Sequence, residues 1–481
     1  MALEARMNRS PVIVWFRRDL RLDDNLAVIA AMESQRPIVP VFIWEPDEGG
    51  GASRGSASRV WLHDSLRALR GDLRKQGSEL VIRKGVSGEE LGRLVTETGA
   101  AAVYWNRRYE PGIVRRDSAI REELLEAGIE ARSWNSSLLV EPQSLLNKAG
   151  RPFQVFTPFW KACLLRGFDK PAPMPGGNLK SPGAFPESVT VDELGLQPDS
   201  NWHESIRSAW DVGESSARRR LEVFAEGAVA AYSNSRDIPG VDGTSALSPH
   251  LHFGEIGPRQ IAAAVSKAAG ASRGAQVYLS EIGWREFAHY LLHHFPRTVD
   301  SPLKQDFERF PWEPDDEALR RWQRGETGYP IVDAGMRQLW RTGWMHNRVR
   351  MIVASVLVKH LLQPWQRGAE WFMDTLVDAD LANNTLGWQW TAGCGADAAP
   401  FFRVFNPIAQ GEKFDPEGDY VRRWIPELAQ LPDKYIHQPW IGPPEILVQA
   451  GVTIGGNYPA PIVDHKKARA RALMAYDKMR I

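Results

Sequence analysis

The sequence has little cysteine. Cys163 and Cys394 are the two in 481 residues. Two thiols so far apart make neither a disulfide framework nor a zinc pattern, so a reducing compartment, the cytoplasm, is expected. Long apolar runs are missing as well. The longest, MIVASVLV, falls far short of the roughly 20 residues that a membrane helix needs, so no membrane association is expected. The opening MALEARMNRS has no apolar centre and an early Glu, which argues against a secretory leader. An excess of either charge is also absent, since 59 basic side chains balance 59 acidic ones. Any nucleic-acid site must therefore be a local patch. There is no internal repeat and no low-complexity tract.

Tryptophan, by contrast, is abundant, with 19 residues. A Trp-rich helical core would account for it, and so would stacking on a flat ligand or electron hopping between rings.

A chain this long exceeds one ordinary core, so two domains are expected. The first third alternates. PVIVWF, IVPVFIW, SELVIRKG, AAVYWNRR and IEARSW read as strands. Helical patterns lie between them, in NLAVIAAMESQ, SRVWLHDSLRALRGDLRKQG, SGEELGRLVTETG and VRRDSAIREELLEAG. Such alternation predicts a doubly wound, parallel five-stranded sheet over residues 10–140. No G-x-G-x-x-G follows the first strand, so the nicotinamide-dinucleotide fingerprint is missing; that strand runs instead into WFRRDLRLDDN. Residues 141–215, rich in Pro, Gly and Ser, read as a long surface linker. Residues 216–481 read as an all-helical domain. The fold class is thus α/β plus all-α.

In the helical part, GWMHNRVRMIVASVLVKHLL sets Val349, Ile352, Val353, Val356 and Leu357 on one apolar stripe. Asn347 and Met351, four apart, share a flank; taken alone, Met351 reads as core filler. In YLSEIGWREFAHYLLHHF, Leu279, Ile282 and Phe287 are core candidates. Glu281, Trp284 and Arg285 can share a face, where Glu281 and Arg285 could be an ordinary helix-surface pair worth a few tenths of a kcal/mol. The segment DGTSALSPHLHFGEIGP brings Ser and Thr to a helix start, where they cap the helix or hold phosphate. DADLANNTLGWQW, Asp378–Trp390, crowds acids, amides and indoles together.

These motifs resemble those of the DNA photolyase/cryptochrome flavoproteins. The resemblance runs through VWFRRDLRLDDN, FTPFW, DGTSALSPHLHFGEI, EIGWREF, TGYPIVDAGMRQLWRTGWMHNRVRM, DADLANNTLGWQW and FFRVFNPIAQGEKFD, in that order and over nearly the whole chain. It implies a non-covalent FAD, active as the reduced anion, held inside the helical domain. By resemblance, Tyr232, Thr244, Ser245, Leu247 and Ser248 hold the FAD phosphates. Asp378, Asp380 and Asn384 meet the flavin, Arg350 pairs with Asp378, and Arg285 lies beside the cofactor. Asn384 has no titratable proton to give. The matching plant cryptochromes carry Asp there, so Asn384 favours repair over a photoreceptor role. The chain also ends soon after the flavin motifs, without the tail that cryptochromes use for signalling. The (6-4) photolyases carry His at the positions of Asn347 and Met351, so cyclobutane dimers are the implied lesion and the (6-4) enzymes a lesser alternative. His346 reads as structural.

The resemblance further assigns Glu281, Asn347, Met351, Trp284 and Trp390 to the lesion pocket. Trp388, Trp365 and Trp312 match an electron-transfer chain. Arg236, Arg348, Arg403 and Gln410 match a face that contacts UV-damaged DNA, the implied partner of a monomeric enzyme. SRVWLHDSLRAL is closest to plant-like, class III photolyases, which implies a 5,10-methenyltetrahydrofolate antenna near Trp44 and Glu45 or near Glu110. A deazaflavin, or no antenna, is the alternative.

Overall fold

The computed structural model describes residues 10–46, 55–198, 200–398 and 402–480. The MALEARMNR stretch that argues against a leader lies outside them. Five strands form, β1 (Val12–Phe16), β2 (Ile38–Trp44), β3 (Val81–Lys84), β4 (Ala102–Asn106) and β5 (Glu130–Trp134). All neighbours pair in parallel, in the order β3-β2-β1-β4-β5. Successive side chains of a strand point to opposite faces, and here both faces are covered. Val12, Val14 and Phe16 join Leu62, Leu66 and, from the helical half, Phe253 and Val377. Ile13 and Trp15 turn the other way, to Leu91, Leu94 and Ile120. Burial on both sides explains why the strands read as continuous apolar runs.

The Pro/Gly/Ser-rich segment departs from the predicted surface linker. It contains the Phe156–Arg166 helix, whose Phe156, Phe159, Trp160 and Cys163 are buried. Phe159 packs against Phe287 and Tyr290 of the long Arg273–His294 helix. Ile38 N donates to Lys180 O at 2.7 Å, and Val189 N to Ile82 O at 3.0 Å. The segment thus extends the sheet's hydrogen bonding. Its few large apolar side chains drive this, and proline and glycine around them hide any periodicity.

Among the described residues, regular structure beyond Glu214 is helical, apart from one isolated bridge between Ile454 and Tyr458. No helix among the described residues is long and apolar enough to cross a membrane. The stripe from Val349 to Leu357 is fully buried, as its spacing predicts. The α-helix itself stops at Ser355, however, and continues as a π-helical turn, Val356–His360. That wider turn carries Lys359 inward, where its Nζ donates to Ala392 O at 3.0 Å.

WFRRDLRLDDN fastens the two halves together. Arg21, 1% exposed, donates to Gly254 O, Asp24 O and Ser136 O at 2.9, 2.7 and 2.8 Å. Gly254 has φ 67°, and a Cβ added there would lie 2.2 Å from Arg18 O. Both the left-handed backbone and the close approach require glycine. Open α/β sheets usually bind ligands where the strand order reverses, here between β1 and β4. In this chain that crevice is filled. Arg17 pairs with Asp117, Arg18 meets Glu110 at 2.9 Å, and Asn106 Nδ2 bonds both Asp19 and Asn25 at 2.7 Å. The remaining void, about 30 Å³, has room for water and no cofactor ring.

Candidate functional site

A cavity of about 690 Å³ opens in the helical half, a size suited to a dinucleotide or similar ligand. Several elements build it. The loop after the short Tyr232–Ser235 helix contributes Thr244, Ser245, Leu247 and Ser248. The Arg273–His294 helix contributes Glu281, Trp284 and Arg285. The Asn347–Ser355 helix contributes Asn347, Arg348, Arg350 and Met351. Asp378, Asp380, Asn384, Trp388 and Trp390 come from the DADLANNTLGWQW segment. The helical spacing that makes Glu281, Trp284 and Arg285 neighbours aims all three into one space.

The charges there are arranged in distinct sets. Arg350 Nη2 donates to Asp378 Oδ2 at 2.8 Å, while its Nε donates to Met345 O at 2.7 Å. Asp378 Oδ1 is buried with no protein partner. Asp380 caps the Leu381–Ala392 helix through Asn383 N at 2.9 Å. Burial alone would raise the Asp380 pKa, but His289, 3.5 Å away, with His252 and Arg285, holds it well below the carboxylate range. Asn384 Nδ2 donates to Ala369 O at 2.9 Å, which fixes its amide plane at the cavity wall.

The expected Glu281–Arg285 surface pair is not formed. Arg285 Nη1 donates to Ser137 O at 2.7 Å, and Glu281 pairs instead with Arg236 across the cavity mouth. Both line the cavity, but each side chain has a partner from another segment, Arg236 for Glu281 and Ser137 for Arg285. Burial raises the Glu281 pKa, and Arg236 opposes that shift.

The residues present fit FAD. Asp378 Oδ1 is a buried acceptor awaiting an N–H donor, and leaving it unmet carries a desolvation cost. Ser245 Oγ accepts from Tyr278 OH at 2.9 Å, and Ser248 Oγ from Trp344 Nε1 at 3.1 Å, so both hydroxyls are oriented on the wall. Ala246 between them has φ 47°, a conformation L residues rarely adopt. Strain of this kind concentrates in ligand-holding loops.

Comparisons with known proteins agree with this geometry. Residues 12–176 match the family described as DNA photolyase, and residues 278–478 match the FAD binding domain of DNA photolyase. The chain is 49% identical over 475 residues to a deoxyribodipyrimidine photo-lyase of Agrobacterium fabrum, covering 98% of each chain. The chain belongs to the DNA photolyase family. It is also 40% identical over 479 residues to cryptochrome-1 of Arabidopsis thaliana, covering 97% of this chain and 70% of that one. The crystal structure of a class III photolyase from Agrobacterium tumefaciens superposes with a TM-score of 0.94 at 48% identity, over 98% of each chain.

Of the other residues singled out in this photolyase-family chain, most lie outside the cavity. Arg403 is exposed over the Phe405 ring, and Gln410 sits half-buried on the Pro407–Phe414 helix. Trp388 is 2% exposed and lines the cavity, whereas Trp365, 3% exposed, lines a second cavity of about 440 Å³. Trp312 is half-buried beside Phe310, ring centroids 4.4 Å apart. The three antenna candidates do not converge. Trp44 lines the second cavity. Glu45 ties down Ser87 Oγ at 2.6 Å and Arg116 at 3.2 Å. Glu110 pairs with Arg18 and Arg108 in the filled crevice.

Phe156 and Asp237 escaped the sequence reading of this photolyase-family fold, and His346 reads there only as structural, without its cap. Phe156 stacks on Trp284 at 3.9 Å and 9°, fixing that wall. It lies in the quoted FTPFW, so the signal was there without its purpose. His346 caps the Asn347–Ser355 helix, its Nδ1 accepting from Arg348 N at 3.2 Å. Asp237 meets Arg348 Nη2 at 2.8 Å. A lone acid in a loop carries no periodic signal, so only the packed chain reveals it.

Proposed function

We propose that this protein repairs cyclobutane pyrimidine dimers in DNA under blue light, with FAD as its cofactor. The observation that carries the reading is a single cavity. Its lining brings the Asp378–Arg350 pair and Asn384 together with Trp284, Trp390, Glu281, Asn347 and Met351. The chemistry that bound, reduced anionic FAD supplies under blue light is one electron, lent to the dimer and returned once the ring has split. Tyr232, Thr244, Ser245, Leu247 and Ser248 would hold its phosphates, with short donors suited to phosphate oxygens. Arg350 and Arg285 would offset the buried negative charge, which is costly unless countered. Asn384 would meet the ring edge without a titratable proton, keeping the anion.

The protein's own residues do the remaining work. Extruding a damaged pair costs a few kcal/mol, less than for an intact one. Trp284, braced by Phe156, and Trp390 offer flat apolar walls for two joined bases. Glu281 and Asn347 hydrogen-bond the base edges, and Met351 fills the space beside them. Arg236, Arg348, Arg403 and Gln410 contact the flanking backbone. Trp388, Trp365 and Trp312 form an electron path to the surface. The cavity beside Trp44 suits a methenyltetrahydrofolate antenna better than the filled β1–β4 crevice does. The cavity is lined from within one chain, in keeping with a monomer. Cys163 and Cys394, both buried free thiols, are in keeping with the cytoplasm.

Purified, reduced protein is incubated with a dimer-containing oligonucleotide in darkness and in blue light. Intact thymines recovered only under illumination are expected. A flavin-loaded protein that restores none would refute repair and favour a photoreceptor.

A further inference from the structure

We propose that Asp237 determines specificity. It is an internal anion that occupies the rim arginines until a lesion enters the cavity, and so weakens binding to undamaged DNA. The inference rests on the repair reading above.

Four alternating charges span the cavity mouth. Glu281 pairs with Arg236 Nη1. Arg236 Nε lies 3.8 Å from Asp237 Oδ1. The same oxygen meets Arg348 Nη2 at 2.8 Å and Nε at 3.3 Å. The four side chains are only partly exposed, Glu281 26%, Arg236 20%, Asp237 33% and Arg348 19%. Arg348 is also held over the Phe414 ring at 4.5 Å, and its Nη1 lies 3.9 Å from Met351 Sδ. The guanidinium is therefore already positioned, and what changes on DNA binding is the anion it faces.

Non-specific affinity comes from cations replacing the counterions of phosphates. An arginine already neutralised by a carboxylate brings little to that exchange. While Asp237 keeps Arg348, no phosphate takes that arginine and no counterion is released on its account. A lesion changes the balance, because extruded bases give Glu281 new partners and let it leave Arg236. An undamaged duplex puts nothing in the cavity. Pulling both arginines away there would leave Asp237 and Glu281, each only partly exposed, without their partners, an unfavourable state. Asp237 thus penalises the duplex that offers only phosphates.

The test is dark binding of the full-length, flavin-loaded protein to undamaged and dimer-containing duplexes, followed by fluorescence anisotropy over a range of salt. Asp237→Asn should bind undamaged DNA roughly tenfold more tightly, with a log K against log salt slope steeper by about 0.9. Lesion affinity should rise much less, so the ratio of the two falls. Adding Arg348→Ala should remove the steeper slope. Unfolding midpoint and flavin absorbance verify an intact protein, and Asp237→Ser replaces the Asn variant if that does not fold. An unchanged undamaged affinity and slope, equal gains on both duplexes, or a steep slope that survives Arg348→Ala would each overturn the proposal. Wild-type protein that binds neither duplex would instead remove the repair reading beneath it.

Discussion

Acid should dismantle the cavity through His346, in a way that one substitution isolates. This side chain is 3% exposed and caps the helix that carries Asn347, Arg348, Arg350 and Met351. Its Nδ1 is the acceptor, so a protonated ring loses the cap. Burial is the main cause that lowers its pKa from 6.5 to about 4; Arg350, Arg348 and Arg236 add to the lowering, and Asp237 opposes it. A group whose pKa is depressed on folding lends stability above its unfolded value and loses it as pH falls. The window here runs from pH 6.5 down to about 4, and the full difference is roughly 3 kcal/mol, of which about 2 kcal/mol is gone by pH 5. Urea unfolding of wild type and His346→Asn at pH 7 and pH 5 measures it, with release of bound flavin as a second readout. Asn can still cap the helix and does not titrate, so its acid loss should be smaller by about 2 kcal/mol. His346→Ala should lose about 1 kcal/mol for the cap at pH 7 and, with no ring to protonate, share the smaller acid loss of His346→Asn. Equal acid sensitivity in wild type and His346→Asn would refute the reasoning.

Three further outcomes follow from the same packing. Asp378→Ala leaves Arg350 without its carboxylate, at a cost of about 3 kcal/mol for a broken buried pair, and flavin retention after gel filtration should fall at least to about a tenth. A Cβ at Gly368 would lie 2.1 Å from Trp388 Cη2, so Gly368→Ala should lower stability by about 1–3 kcal/mol and shift tryptophan fluorescence; an unchanged spectrum would contradict the contact. Trp388→Phe should abolish light-driven reduction of the oxidised protein while chemically reduced protein still repairs, and normal photoreduction would remove Trp388 from the electron path.

Much of this was legible without coordinates, for a local reason. Strand alternation and buried stripes are short-range signals, and β2 begins and ends where IVPVFIW does. The motif residues of the cavity were legible too, since Glu281, Trp284 and Arg285 owe their shared direction to helical spacing, and Asp380 and Asn384 to theirs. Apart from the Arg350–Asp378 pair, tertiary structure decided the partners. Glu281 turned to Arg236, Glu110 joined Arg18, which also lies 3.9 Å from Asp380 of the helical half, and the apparent linker proved to pack Phe156 behind Trp284. Local sequence sets which way a side chain leaves its own helix or strand. What it meets there depends on chain segments tens to hundreds of residues away, and only closing the fold brings them within reach.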